Sequence, residues 1–112
     1  MSKQARRTYS RITVHAVALL GKRIKIARKE RNMTAQDLAD RAGISRGLLQ
    51  RIENGSLTCQ IGAAFEVAAL VGIRLFDADD ASLTAGIRQA DEKIALLPKH
   101  IHPGKQHVDD DF

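Results

Sequence analysis

Apolar residues in the first third of the chain recur at helical steps. From about Ser10 to Arg31, Val17, Leu20, Ile24 and Ala27 fall on one face, while Lys22, Arg23, Lys25, Arg28, Lys29 and Arg31 occupy much of the remainder. That spacing predicts a long amphipathic helix, interrupted at Asn32 and Met33. Thr34 then supplies an N-cap hydroxyl, and Asp37 follows three residues later, where a carboxylate favours a helix N-terminus; a second helix is expected over 35–42. Gly43 comes next, free of the Cβ that makes the left-handed conformation of a sharp turn costly, and Ile44 fills the space beneath the turn. Ser45 is again an N-cap type, and Leu48, Leu49 and Ile52 mark a short third helix ending at Glu53-Asn54-Gly55.

Beyond the loop at 56–58, Ile61, Ala64, Ala68 and Val71 share one face of a fourth helix over 60–71, stopped by Gly72. The next segment, 73–78, is different. Ile73 and Leu75 alternate with Arg74 and Phe76 over a stretch too short for a helix. It is either a short strand, which would have to pair with a second copy and so build a dimer through Ile73, Leu75 and Phe76, or an extended linker. Leu83, Ile87, Ala90, Ile94 and Leu97 predict a fifth helix over 82–97, ended by Pro98. The expected organisation is a flexible basic arm over 1–10, a helical domain over 11–72, a dimerisation strand and helix over 73–98, and a tail over 99–112 that is disordered alone. The fold class is all-α, with five helices, room for one short intersubunit strand, and no internal repeat.

Composition supports the helical reading. Aromatic residues make up only 4% of the 112 and tryptophan is absent, so a core must rest on Leu, Ile, Val and Ala interlocking over short distances. The single cysteine, Cys59, excludes an internal disulfide framework and agrees with a reducing compartment; it reads as a small buried hydrophobe. No run approaches the roughly 18 apolar residues of a membrane span. Arg6 and Arg7 ahead of Val14 to Leu20 make a poor export signal, since His15 interrupts the apolar stretch and no small-residue cleavage site follows. A cytoplasmic, nucleoid-associated protein is expected.

The charge changes the picture further. Up to Gly55 there are 13 Lys and Arg against 4 Asp and Glu; from Ser56 onward there are 5 against 9, which leaves the net +5 of the whole chain. A basic half points to a polyanion, with nucleic acid favoured. Within that half, Leu38, Ala42, Ile44, Leu49 and Ile52 are the apolar positions needed to lock two helices at a steep angle, with Ala39 small at their closest approach. Once these face inward, Ser45, Arg46, Gly47, Gln50 and Arg51 face outward from the third helix. A helix with its side chains is about 10–12 Å across and the major groove of B-DNA about 12 Å wide, so such a helix can enter the groove of double-stranded DNA. Arg46 and Arg51 suit guanine O6 and N7, Gln50 suits adenine, and Gly47 removes a side chain at the closest approach. Amides at the start of the second helix, near Gln36, suit a phosphate, and Arg28 and Asn54 are further backbone-contact candidates.

At Met33 to Gly55, MTAQDLADRAGISRGLLQRIENG, the sequence resembles the Xre, or phage-repressor-like, helix-turn-helix family, and the resemblance runs from Leu20 to Val71. It implies the phage-repressor-like fold, with Ser45, Arg46, Gly47, Gln50 and Arg51 at the base-reading positions. One residue departs from the pattern. Family members commonly carry a phosphate-clamping Gln immediately after the Thr, where this chain has Ala35, with Gln36 next. The whole chain, including its ending LLPKHIHPGKQHVDDDF, is similar to HipB-like antitoxins paired with HipA-like kinase toxins. That resemblance implies a homodimer repressing its own operon at an inverted repeat. It also implies a complex with the toxin through a tail ending in an aromatic residue, here Asp109, Asp110 and Phe112. The alternative is a stand-alone Xre-type or prophage regulator without a toxin.

Other signals are weaker. His100, His102 and His107 suggest metal by composition alone, but Pro103 and Gly104 loosen their spacing, so no metal site is expected. No Gly-rich phosphate loop, nucleophile elbow or carboxylate pair stands in a pocket-forming context, and neither an enzyme nor a cofactor is expected.

Overall fold

The computed structural model describes residues 8–101 and 103, and all regular structure among them is helical. The helices are α1 (Arg11–Glu30), α2 (Ala35–Ala42), α3 (Arg46–Glu53), α4 (Ile61–Leu70) and α5 (Asp80–Leu96), with a 3-10 turn at Leu75–Asp77. Contacts divide the chain into two compact units, one ending at Asp77 and one beginning at Ala78. No helix of the described residues is long and apolar enough to cross a membrane.

Local chemistry sets the helix boundaries in the first unit. Ser10 Oγ accepts the Thr13 amide at the start of α1, and Arg28 and Lys29 place positive charge in its last turn. A reciprocal cap opens α2: Thr34 Oγ1 accepts the Asp37 amide at 3.0 Å, and the Thr34 amide donates to Asp37 Oδ2 at 3.1 Å. The Thr34 backbone N–H, and then its hydroxyl, hold the Asp37 carboxyl below the ordinary aspartate value. Gly43 ends α2 at φ 70°, a left-handed turn that lets the Ile44 amide reach back to the Ala39 carbonyl at 3.0 Å. Ser45 Oγ then accepts the Leu48 amide at 3.0 Å and starts α3.

The core of this unit is Ile24 from α1, Leu38 and Ala39 from α2, Leu49 and Ile52 from α3, and Val67, Ala68 and Val71 in and just after α4. Each buried Leu, Ile or Val contributes about 1.5–3 kcal/mol relative to exposure. Ala39 is fully buried, so α2 approaches both α3 and α4 closely. Gly21 plays the matching part on α1: a Cβ there would lie 2.5 Å from the Ile52 carbonyl oxygen and 2.6 Å from that of Glu53. The face expected for α4 needs one correction. Ile61 is 70% exposed while Val67 is fully buried, because the first turn of α4 overhangs the core and lines an open apolar groove with Val17, Leu20 and Phe65.

The strand weighed for residues 73–78 does not form. Phe76 and Asp77 have φ of 56° and 52°, which bends the backbone out of any extended path, and the Asp77 amide closes a turn onto the Arg74 carbonyl. Ile73 and Leu75 pack instead against the core of the first unit, where their burial has already been used. Phe76 remains exposed and meets Phe65 edge-on, with ring centroids 6.4 Å apart.

The second unit is built on α5. Asp79 Oδ1 accepts the Ser82 amide at 2.8 Å as its N-cap, and donation from the Ser82 backbone lowers the Asp79 carboxyl below its ordinary value. No residue of α5 is buried.

Candidate nucleic-acid interface

With Leu49 and Ile52 directed into the core, the geometry of a short helix leaves Ser45, Arg46, Gly47, Gln50 and Arg51 on the open side of α3, and all five are exposed. Among the described residues, neither arginine has an ion-pair partner, since the ion pair formed there joins Arg28 to Glu53. A Cβ built at Gly47 would find its nearest neighbours at 3.9 Å, the Arg51 Nη1, and at 4.0 Å, the Ser45 Oγ. Two conclusions follow. Ser45, Gly47 and Arg51 lie side by side, and nothing inside the protein requires glycine at position 47.

On its other flank α3 borders a polar groove lined by Lys25, Arg28 and Lys29 of α1, Thr34 and Ala35 at the start of α2, and Arg46, Gln50, Glu53 and Asn54. The tertiary structure thus brings Arg46, Gln50 and Asn54 to the opening of α2. The amides of Ala35 and Gln36 are in its first turn, where helical geometry leaves donors free for an anion. Lys25 and Lys29 join them. The sequence marked both lysines only as part of a basic surface; their spacing with Arg28 at i, i+3 and i+4 was the available signal.

Two positions depart from the sequence reading. Arg28 is 7% exposed and is not a free cation: its Nε and Nη2 donate to the Glu53 carboxylate at 2.8 and 3.0 Å, and its Nη1 donates to the Met33 carbonyl at 3.0 Å. It is therefore corrected from a phosphate-contact candidate to a clamp joining α1, the α1–α2 loop and α3. The hydrogen-bonded Glu53 carboxylate raises the guanidinium's hold on its proton. Gln36 is exposed, but its Nε2 donates to Asp40 Oδ1 at 2.8 Å, so the amide is committed along α2 and does not replace the glutamine missing at Ala35. The toxin-contact candidates Asp109, Asp110 and Phe112 lie outside the described residues, as do His102 and His107.

The arrangement offers a protruding helix with hydrogen-bonding side chains, beside a cationic groove whose buried carboxylate is already neutralised by Arg28. Residues 24–75 match the protein-family model described as Helix-turn-helix. The chain carries a helix-turn-helix domain. A helix-turn-helix is a DNA-binding element of transcription regulators, and here α2 and α3 are its two helices. No curated protein and no solved structure matches the chain. In helix-turn-helix proteins the second of the two helices enters the major groove, and in this chain the second is α3.

Proposed function

We propose that this protein is a sequence-specific repressor that binds an inverted-repeat operator as a homodimer and serves as the antitoxin of a HipA/HipB-like toxin–antitoxin pair. In this reading Arg46, Gln50 and Arg51 read bases and Ser45 and Gly47 permit close approach. Lys25, Lys29, Asn54 and the first amides of α2 near Gln36 hold phosphates. Asp109, Asp110 and Phe112 engage the kinase toxin. The observation that carries the DNA half is the uncommitted, exposed face of α3 above a cationic groove. The toxin half is supported by the resemblance of the whole chain and of its acidic, aromatic-ended tail.

Footprinting on the promoter of the protein's own operon tests the first half. Protection of an inverted repeat is expected, and protection independent of sequence would overturn it. Deleting residues 107–112 tests the second: toxin capture should be lost with operator binding intact. If the adjoining reading frame encodes no kinase, the stand-alone regulator takes the place of the antitoxin.

A further inference from the structure

Helix α1 has an outer side as well as an inner one. Gly21, Ile24 and Arg28 turn inward, while Ile12, Leu19 and Ile26 remain 77%, 49% and 55% exposed. These three stand seven residues apart, so they share nearly one row along about 21 Å of helix. A second row runs beside it. His15, Lys22 and Lys29 each follow a residue of the apolar row by three positions, and all are exposed. An apolar row with charges at its flank is half of the seam between two paired helices, and in such seams the flanking charges choose the partner.

The charges of α1 are almost all of one sign. The helix holds Arg11, Lys22, Arg23, Lys25, Arg28 and Lys29, and its sole acid is Glu30, at the last residue. Arg28 is bound to Glu53, which leaves the other cations to set the field along the outer face. On the second flank of the apolar row, Thr13, Leu20 and Ala27 are uncharged and half-buried. Ala16 and Arg23 stand between the apolar residues, and the alkyl stem of an arginine can lie along an apolar contact. A segment that covers this face is therefore apolar along one row and acidic beside it. DNA does not fit that description, because phosphates gain from cations and not from three aliphatic side chains. A bilayer takes a broad apolar face, and this row is one side chain wide.

We propose that the outer face of α1 docks an amphipathic helix of a protein partner, with its apolar seam on Ile12, Leu19 and Ile26 and its acidic flank against Lys22 and Lys29. At Lys29 this surface adjoins the cationic groove beside α3. The proposal rests on neither half of the function given above.

The test titrates the full chain with a synthetic three-heptad helical peptide carrying Leu along its seam and Glu on both flanks. A second peptide, with Lys in place of every Glu, is the control. Calorimetry should find the acidic peptide bound at least about tenfold more tightly than the basic one. Leu19→Gln and, separately, Lys22→Glu should each weaken that binding at least about tenfold, with helix content and melting temperature unchanged. Absence of binding, equal binding of the two peptides, or indifference to Leu19→Gln would overturn the proposal. So would a Leu19→Gln variant that loses attachment to phosphatidylglycerol vesicles or to a random DNA duplex, since the row would then belong to a lipid surface or to nucleic acid.

Discussion

Arg28 and Glu53, 25 residues apart in the chain, meet in a buried two-point ion pair, Nε to Oε2 at 2.8 Å and Nη2 to Oε1 at 3.0 Å. The pair fastens the C-terminal half of α1 to the last turn of α3, on the side away from its exposed face. Glu53→Ala strands a buried guanidinium, for which the usual cost is about 3–5 kcal/mol. Urea denaturation should record a loss of that order, and Arg28→Met with Glu53→Leu together should lose much less. If Arg28→Met alone left stability unchanged and altered only the salt dependence of DNA binding, the clamp assignment would fail.

Gly21 is the second constraint between the same helices. Its substitution by alanine would press a methyl group to 2.5 and 2.6 Å from two backbone carbonyl oxygens of α3. Backbone cannot swing aside as a side chain does, so the overpacking cost, typically about 1–3 kcal/mol, should exceed the gain of about 1 kcal/mol in helix propensity. A lowered melting temperature for Gly21→Ala is the expected result.

Gly47 is expected to behave in the opposite way. A methyl group there meets only ordinary van der Waals distances, so Gly47→Ala should hold or raise stability, by up to about 1 kcal/mol. Operator affinity should nonetheless fall several-fold, because in the proposed docking the added group stands where α3 comes nearest to DNA. Undiminished affinity would show that the glycine serves no contact.

Base-reading and backbone-holding residues should separate in titrations against salt. Arg46→Ala or Arg51→Ala should cost about 1–3 kcal/mol on the operator and much less on random DNA. Lys25→Ala or Lys29→Ala should weaken both alike and reduce the slope of log K against log salt by about 0.9 for each phosphate no longer neutralised. Equal losses on both DNAs for the arginines would demote them to phosphate contacts.

Acid should erode the cap of α2. The carboxyl of Asp37 is lowered in the folded protein by donation from Thr34. Its stabilising contribution is therefore present above the unfolded value, about 3.9, and is lost as pH falls through the lower folded value. Asp37→Ala should be the less stable protein at neutral pH, and its deficit should shrink as denaturation is repeated below about pH 4. A deficit constant with pH would mean that the ionised carboxylate is not what stabilises the cap.

Much of the first unit is legible in the chain because its signals are local. Thr34 with Asp37, Gly43, and Ser45 act over three or four residues, and they place α2 and α3 at Ala35–Ala42 and Arg46–Glu53. The periodicity of α5 is likewise local, although the helix begins two residues before the expected Ser82, at the turn capped by Asp79. Which basic side chains stand free is not local. Arg28 and Lys29 are neighbours of similar type, yet one is turned inward onto Glu53 and the other borders the groove, and only the packing of α1 on α3 separates them. The same packing makes Gly21, an ordinary helix position by its spacing, a point of backbone approach, and the fold packs Ile73 and Leu75, half-buried, against the core where their alternation left a strand or an extended linker open. Spacing along a chain reports which face a residue shares; what that face meets depends on elements brought together from far apart in the sequence.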